Sequence, residues 1–273
     1  MTRETTFNCE NGAMPFQGGV LHDVHPYGVL AVNDIIGKSS NIGSTKIALR
    51  VGAEKYHRYL KAFGFGDRTG IDLPGEAVGM LRPVARWSGR SIASVAIGQE
   101  ISVTPLQMAT AFAAAVNGGV LWRPRIAREL VSPEGAVLKS FEPQKVRQVI
   151  SAETSRQVVE TLVHVVEEGT GKAAAVAGYT VGGKTGTAQK YDPQLKTYSS
   201  HKYLASFVGV APARDPRLVV LVMIDEPKGA IYGGSVAAPV FQKVVQRTLR
   251  YLNVPSEARE QVLLVQAFPG AGE

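Results

Sequence analysis

The stretch Gly182-Gly183-Lys184-Thr185-Gly186-Thr187-Ala188-Gln189-Lys190 decides how the chain is read. It is short and glycine-rich, and it carries a lysine between glycines and two hydroxyls. Two long apolar runs follow it, Leu204 to Val210 and Leu218 to Ile224. That context predicts an edge strand of a sheet whose polar face is turned towards a bound anion. Between the two runs lies Pro212-Ala213-Arg214-Asp215-Pro216, a turn that predicts an antiparallel hairpin.

Working outward, Ser151 to Glu167 reads as an amphipathic helix with Val158, Leu162, Val165 and Val166 on its inner side. His164 on that helix is read as a satisfied surface or core histidine, and Gly169-Thr170-Gly171 as the break that ends it. Pro239 can open a last helix running to about Leu252, and residues 253–273 read as a loose tail. Further upstream, Thr104-Pro105-Leu106-Gln107 carries the signs of a helix start: an N-cap hydroxyl, a proline at the first position and a glutamine to complete a capping box. The apolar run behind it should be buried on most sides, and Asn117-Gly118-Gly119 should end it. A strand pair is expected around 125–131 and 136–141, turning at Ser132-Pro133-Glu134-Gly135. Ile42 to Val51 and Glu54 to Phe63 read as helices, with Gly64 as a C-terminal stop. The stretch FGFGDRTGIDLPGEAVGMLRPV, residues 63–84, is expected to be mostly loop, either functional or covering the core, and residues 7–31 short strand pieces and turns.

A chain of 273 residues with 45% apolar content can bury a full core. No repeat and no linker divides it, so one domain over residues 1–252 is expected. Cys9 is the sole cysteine, which rules out an internal disulfide, and it reads as a half-buried strand residue. The net charge of +7 comes from scattered basic residues without an RNP-like, helix-turn-helix or zinc-finger pattern. A solvated basic surface is the better reading, and nucleic acid is not an expected partner. The apolar runs are too short, or too often broken by charge, to span a bilayer, and MTRETTFNCENG holds no apolar signal core.

A K-T-G triplet alone is a weak signal. Its weight comes from Ser39-Ser40-Asn41 far upstream, which gives S-x-N followed by K-T-G, two of the three signatures of penicillin-recognising serine acyl enzymes. The phrases FGFGDRTGIDLPGE, SVAIGQEISVTPLQMA, VVEEGTGKAA and YGGSVAAPVF all resemble class B penicillin-binding proteins, in the family's order, over roughly residues 5–252. DVHPYGVLAVNDIIGKSSNIG looks like the division-type, septal branch.

The resemblance implies an α+β transpeptidase fold related to serine β-lactamases. It would comprise a five-stranded antiparallel sheet flanked by helices, with its last strands at 181–190, 204–211 and 217–225, and an all-helical part. It also implies an enzyme that cross-links peptidoglycan stem peptides ending in D-Ala-D-Ala through a serine ester. Lys184 would supply a fixed positive charge and the Thr185 and Thr187 hydroxyls would donate to the substrate carboxylate. Gly186 would let the ligand lie against the strand, and the Thr187 N–H would form half of an oxyanion hole. Ser39 would relay a proton, and the Asn41 amide would bind substrate backbone. No cofactor or metal is implied. Expected partners are stem peptides, β-lactams as covalent inhibitors, and a membrane glycosyltransferase with other division proteins. The expected location is the outer face of the bacterial cytoplasmic membrane, held by an N-terminal anchor.

One departure stands out. The family's nucleophile and base lie in an S-x-x-K upstream of S-x-N, and none occurs in the 38 residues before Ser39. The formal match Ser199-Ser200-His201-Lys202 is read as a coincidence in a polar loop between strands. The chain is therefore expected to be an N-terminally truncated part of a transpeptidase domain, unable by itself to form an acyl-enzyme. A catalytically dead scaffold of the division machinery and a D,D-carboxypeptidase remain alternatives. A serine β-lactamase does not, because no E-x-x-L-N stretch is present to place a deacylating water.

Overall fold

The computed structural model describes residues 1–257; the expected tail beyond them lies outside the described residues. The described chain forms two compact units, one of residues 1–35 and 40–158, the other of 36–39 with the chain from Val159 onward.

The first unit begins with β1 (Thr6–Asn8), β2 (Ala13–Phe16), β3 (Gly19–His22) and β4 (Val29–Ala31). Strands β2 and β3 pair antiparallel with Phe16 opposite Gly19. The two linking residues, Gln17 and Gly18, both have positive φ (47° and 73°), as a two-residue hairpin turn requires. Strand β1 pairs antiparallel with β4, and Cys9 just beyond it is fully buried with Leu30, Ile35 and Ile42. That corrects the half-buried strand reading of Cys9. Helices α1 (Val32–Lys38), α2 (Asn41–Val51) and α3 (Ala53–Ala62) follow, with Gly64 at φ 95° after the last of them.

The loop over 63–84 is stapled in place by polar contacts. Glu76 accepts from the Thr69 N–H at 2.6 Å and the Gly70 N–H at 3.0 Å. After β5 (Met80–Leu81), α4 (Ser91–Ala96) and β6 (Ile101–Ser102) comes α5 (Pro105–Val116), whose capping box is fully formed. Thr104 Oγ1 accepts from the Gln107 N–H at 3.1 Å, and Gln107 Oε1 accepts from the Thr104 N–H at 2.9 Å. The same buried glutamine donates from Nε2 to the Asp67 and Val78 carbonyls at 2.6 and 2.9 Å. One side chain thus caps the helix and anchors the loop, leaving none of its amide groups unsatisfied.

The unit continues through β7 (Val120–Trp122), β8 (Glu129–Val131), β9 (Val137–Ser140) and β10 (Lys145–Gln148) into α6 (Ala152–Glu167). Five two-stranded antiparallel sheets lie in it among the described residues. The first unit thus sets its helices among segments that close into short two-stranded sheets.

In the second unit, β11 (Gly182–Asp192), β12 (Thr197–Ala211) and β13 (Leu218–Asp225) form one antiparallel sheet in that order, so β11 is an edge. Three strands are described where the resemblance implies five. Strand β12 starts seven residues earlier than its apolar run, and Ser199–Lys202 belong to it rather than to a loop. They sit at a register shift, between Tyr191 opposite Tyr198 and Gln189 opposite Tyr203. Ser199 Oγ accepts from the His201 and Lys202 N–H groups at 3.1 and 3.0 Å, which satisfies the backbone of the bulge.

Helices α7 (Gly233–Val236) and α8 (Ala238–Tyr251) complete the unit. Phe241, Val245 and Leu249 recur at four-residue spacing along α8 and are fully buried. The Phe241 ring lies 4.8 Å from that of Phe207 on β12, centroid to centroid. Past α8, the Tyr179 hydroxyl donates to the Val254 carbonyl at 2.7 Å and the Glu257 N–H to the Gly178 carbonyl at 2.9 Å, so the first residues of the expected tail are docked. No described helix is long and apolar enough to cross a membrane.

Candidate active site

The site is built on the edge strand β11. Helix α1 ends at Lys38, and Ser39 follows in the left-handed region at φ 58°, which turns the chain sharply before α2. Ser40 is the N-cap of α2: its hydroxyl accepts from the Gly43 N–H at 2.9 Å and donates to Asp23 Oδ2 at 2.7 Å. Asp23 Oδ1 takes the Ile42 N–H at 3.0 Å. The middle residue of S-x-N is thus a cap, and it sets the turn from which Ser39 projects.

Within the second unit, the structure brings Ser39 and Lys184 into contact: Lys184 Nζ donates to Ser39 Oγ. The same ammonium donates to the Thr185 carbonyl at 3.1 Å and reaches Thr185 Oγ1 at 3.4 Å. Burial pulls the Lys184 ammonium down to about 8 from its ordinary 10.5. Lys184 therefore gives up its proton more readily than an exposed lysine, while remaining charged below about 8.

Thr185 Oγ1 lies 2.8 Å from Thr170 Oγ1. Thr187, exposed two residues further along the same face, accepts at Oγ1 from the Gly233 N–H at 3.2 Å. Gly186 has a reason within the protein itself: a Cβ there would stand 2.4 Å from Ser206 Oγ on β12. Gly233 is more tightly constrained, since a Cβ on it would lie 2.1 Å from the Ser206 carbonyl oxygen and 2.5 Å from that of Gly186. Asn41 belongs to the first unit, where its side-chain amide donates to the His22 carbonyl at 2.8 Å. Among the described residues no group of three or more His, Cys, Asp or Glu side chains could hold a metal ion.

The sequence reading did not single out Thr170 or Gly233. The signal for both is close-packed glycine, in Gly169-Thr170-Gly171 and Gly233-Gly234, a pattern shared with ordinary helix breaks and turns.

The arrangement offers a buried lysine whose proton is held less firmly than usual, a serine in contact with it, and two hydroxyls on an edge strand. This is chemistry suited to holding an anion and moving a proton beside it. Comparisons with known proteins agree. The model of the penicillin binding protein transpeptidase domain matches residues 1–246. Penicillin-binding protein PbpB of Mycolicibacterium smegmatis is 41% identical over 255 residues, covering 89% of this chain and 39% of that protein. Stage V sporulation protein D of Bacillus subtilis is 46% identical over 230 residues, covering 84% of this chain and 35% of that protein. The chain thus spans less than two fifths of each of these relatives, 39% and 35%. The crystal structure of penicillin binding protein 3 from Mycobacterium tuberculosis complexed with aztreonam matches at a TM-score of 0.85 and 36% identity, covering 93% of this chain and 59% of that one. A K-T-G edge strand in contact with the serine of S-x-N, on a fold shared over nine tenths of the chain, places this chain in the transpeptidase-domain family of class B penicillin-binding proteins.

Proposed function

We propose that the protein is a peptidoglycan D,D-transpeptidase that cross-links stem peptides during septal wall synthesis, and that β-lactams inhibit it covalently. The observation that carries this reading is the contact of Lys184 with Ser39 on a strand that also presents Thr185 and Thr187. The Thr185 and Thr187 hydroxyls grip the terminal carboxylate of D-Ala-D-Ala with the Lys184 charge behind them. An attacking serine forms an ester with the penultimate D-Ala carbonyl and the terminal D-Ala leaves as the amine. The amine of a second stem peptide then attacks the ester, forming the cross-link and freeing the serine. The Thr187 N–H stabilises the oxyanion in both steps. Ser39, through Lys184, carries a proton towards the departing amine and away from the entering one. Asn41 holds substrate backbone.

The attacking serine is not assigned within these 273 residues. No S-x-x-K occurs among residues 1–38, and the formal match Ser199–Lys202 is a bulge in β12 with Ser199 Oγ committed to two backbone N–H groups. In the working cell the protein acts at the outer face of the cytoplasmic membrane beside a membrane glycosyltransferase. The resemblance of DVHPYGVLAVNDIIGKSSNIG to the septal branch supports the division role.

Fluorescent penicillin tests both parts. The protein at its natural length should be labelled covalently and the 273-residue chain should not. Labelling of that shorter chain at a serine would overturn the assignment of the nucleophile outside it.

A further inference from the structure

The last turn of α6 is closed by the Gly169 and Gly171 N–H groups, both donating to the Val165 carbonyl, at 3.1 and 3.0 Å. Between them the Thr170 N–H donates to the Gly37 carbonyl at 3.1 Å, two residues before Ser39. A Cβ on Gly169 would lie 2.4 Å from that same carbonyl oxygen, and a Cβ on Gly234 would lie 2.5 Å from the Thr170 carbonyl oxygen. Only glycine at both places lets the backbones close in, and so the Thr170 main chain is clamped between the Ser39 segment and α7. Its side chain is left pointing at Thr185, with the two hydroxyl oxygens 2.8 Å apart.

A threonine hydroxyl has one proton to donate and two lone pairs to fill. The charged Lys184 ammonium, 3.4 Å from Thr185 Oγ1, can only donate to it. If Thr170 also donates, both lone pairs of Thr185 are filled and its proton is left for a ligand acceptor. We propose that Thr170 is a positioning residue for the anion grip: its hydroxyl holds Thr185 as an acceptor from the protein, so that Thr185 donates to the substrate carboxylate. This rests on the transpeptidase reading of the site and adds a residue outside the S-x-N and K-T-G signatures. Without the Thr170 hydroxyl, Thr185 is free to turn between staggered positions, and the carboxylate must order it on binding.

The test uses the protein at its natural length and a fluorescent penicillin, separating the half-saturating concentration from the limiting acylation rate. Thr170→Val keeps the backbone N–H and the side-chain shape and removes the hydroxyl alone. It should raise the half-saturating concentration about tenfold, the scale of one hydrogen bond to a charged group, with the melting temperature unchanged. Thr170→Ser should restore the wild-type value, and Thr170→Val added to Thr185→Val should cause no further loss. The proposal is overturned if Thr170→Val behaves as wild type, if the serine variant fails to restore binding, or if the two losses multiply. Failure of the underlying reading looks different: the wild-type protein would not be labelled, or Lys184→Met would be labelled as well as wild type, and the proposal would fall with it.

Discussion

The Lys184 ammonium donates to the Ser39 hydroxyl across 145 positions of sequence. A left-handed residue after α1 supplies one partner and an edge strand supplies the other. The contact turns two short motifs, each unremarkable alone, into one chemical unit. Replacing Lys184 by Met should lower the rate of covalent penicillin labelling by about a hundredfold or more, the scale of losing one charge-stabilising donor. Ser39→Ala should also lose about a hundredfold by removing the proton path, while leaving the half-saturating concentration nearly unchanged. Stopped-flow labelling at several penicillin concentrations separates the two outcomes.

The pH dependence follows from the depressed lysine. In the empty site Lys184 is charged below about 8 and neutral above it, so carboxylate affinity should fall as pH rises through that value. Stability runs the other way. The native state releases its proton near 8 and the unfolded chain near 10.5, so the unfolded chain binds more protons between those values and stability rises with pH across that window. Below about 8 both states are protonated and the full cost of burying the ammonium is present. Denaturant titrations at pH 7 and pH 10 should show this gain in the wild type and its absence in Lys184→Met.

Ser40 tests the turn that carries Ser39. Its buried hydroxyl both accepts from Gly43 N and donates to Asp23. Ser40→Ala removes the cap and leaves Asp23 Oδ2 without that donor, which should destabilise the protein by about 2 kcal/mol. Urea titration of the variant measures the loss, and a change below about 0.5 kcal/mol would show that Asp23 alone organises the start of α2.

Phe241 tests the core behind the sheet. It is fully buried against Phe207, and Phe241→Ala should cost about 3–5 kcal/mol. Conservative Phe241→Leu should recover most of that, as read by thermal melting.

The parts that were legible in the sequence are those where local chemistry and the final environment agree. Thr104 and Gln107 form the capping box that their spacing announced, and Gly64 and Pro239 stand at helix ends as their backbone preferences require. The K-T-G strand and the two apolar strands after it were visible because burial on a sheet leaves a run of β-branched residues. The start of β12 was not visible: Thr197 to Lys202 are mostly polar and, apart from half-buried Ser199, exposed, and they are strand only because Tyr191 pairs with Tyr198 across the hairpin. In the first unit the β8–β9 hairpin was legible from its Ser132-Pro133-Glu134-Gly135 turn, whereas β5, β6, β7 and β10 were hidden, since strands of two to four residues carry too little alternation to be told from loops. The lowered charge threshold of Lys184 and the Thr170–Thr185 contact depend on groups distant in sequence, so no local pattern could report them.

The most direct test of the account is a crystal structure of the natural-length protein reacted with benzylpenicillin. The antibiotic carboxylate should lie within about 3 Å of both Thr185 Oγ1 and Thr187 Oγ1, with Lys184 Nζ still against Ser39. A carboxylate turned away from β11, or an antibiotic bonded at a site that leaves Lys184 and Ser39 untouched, would contradict it.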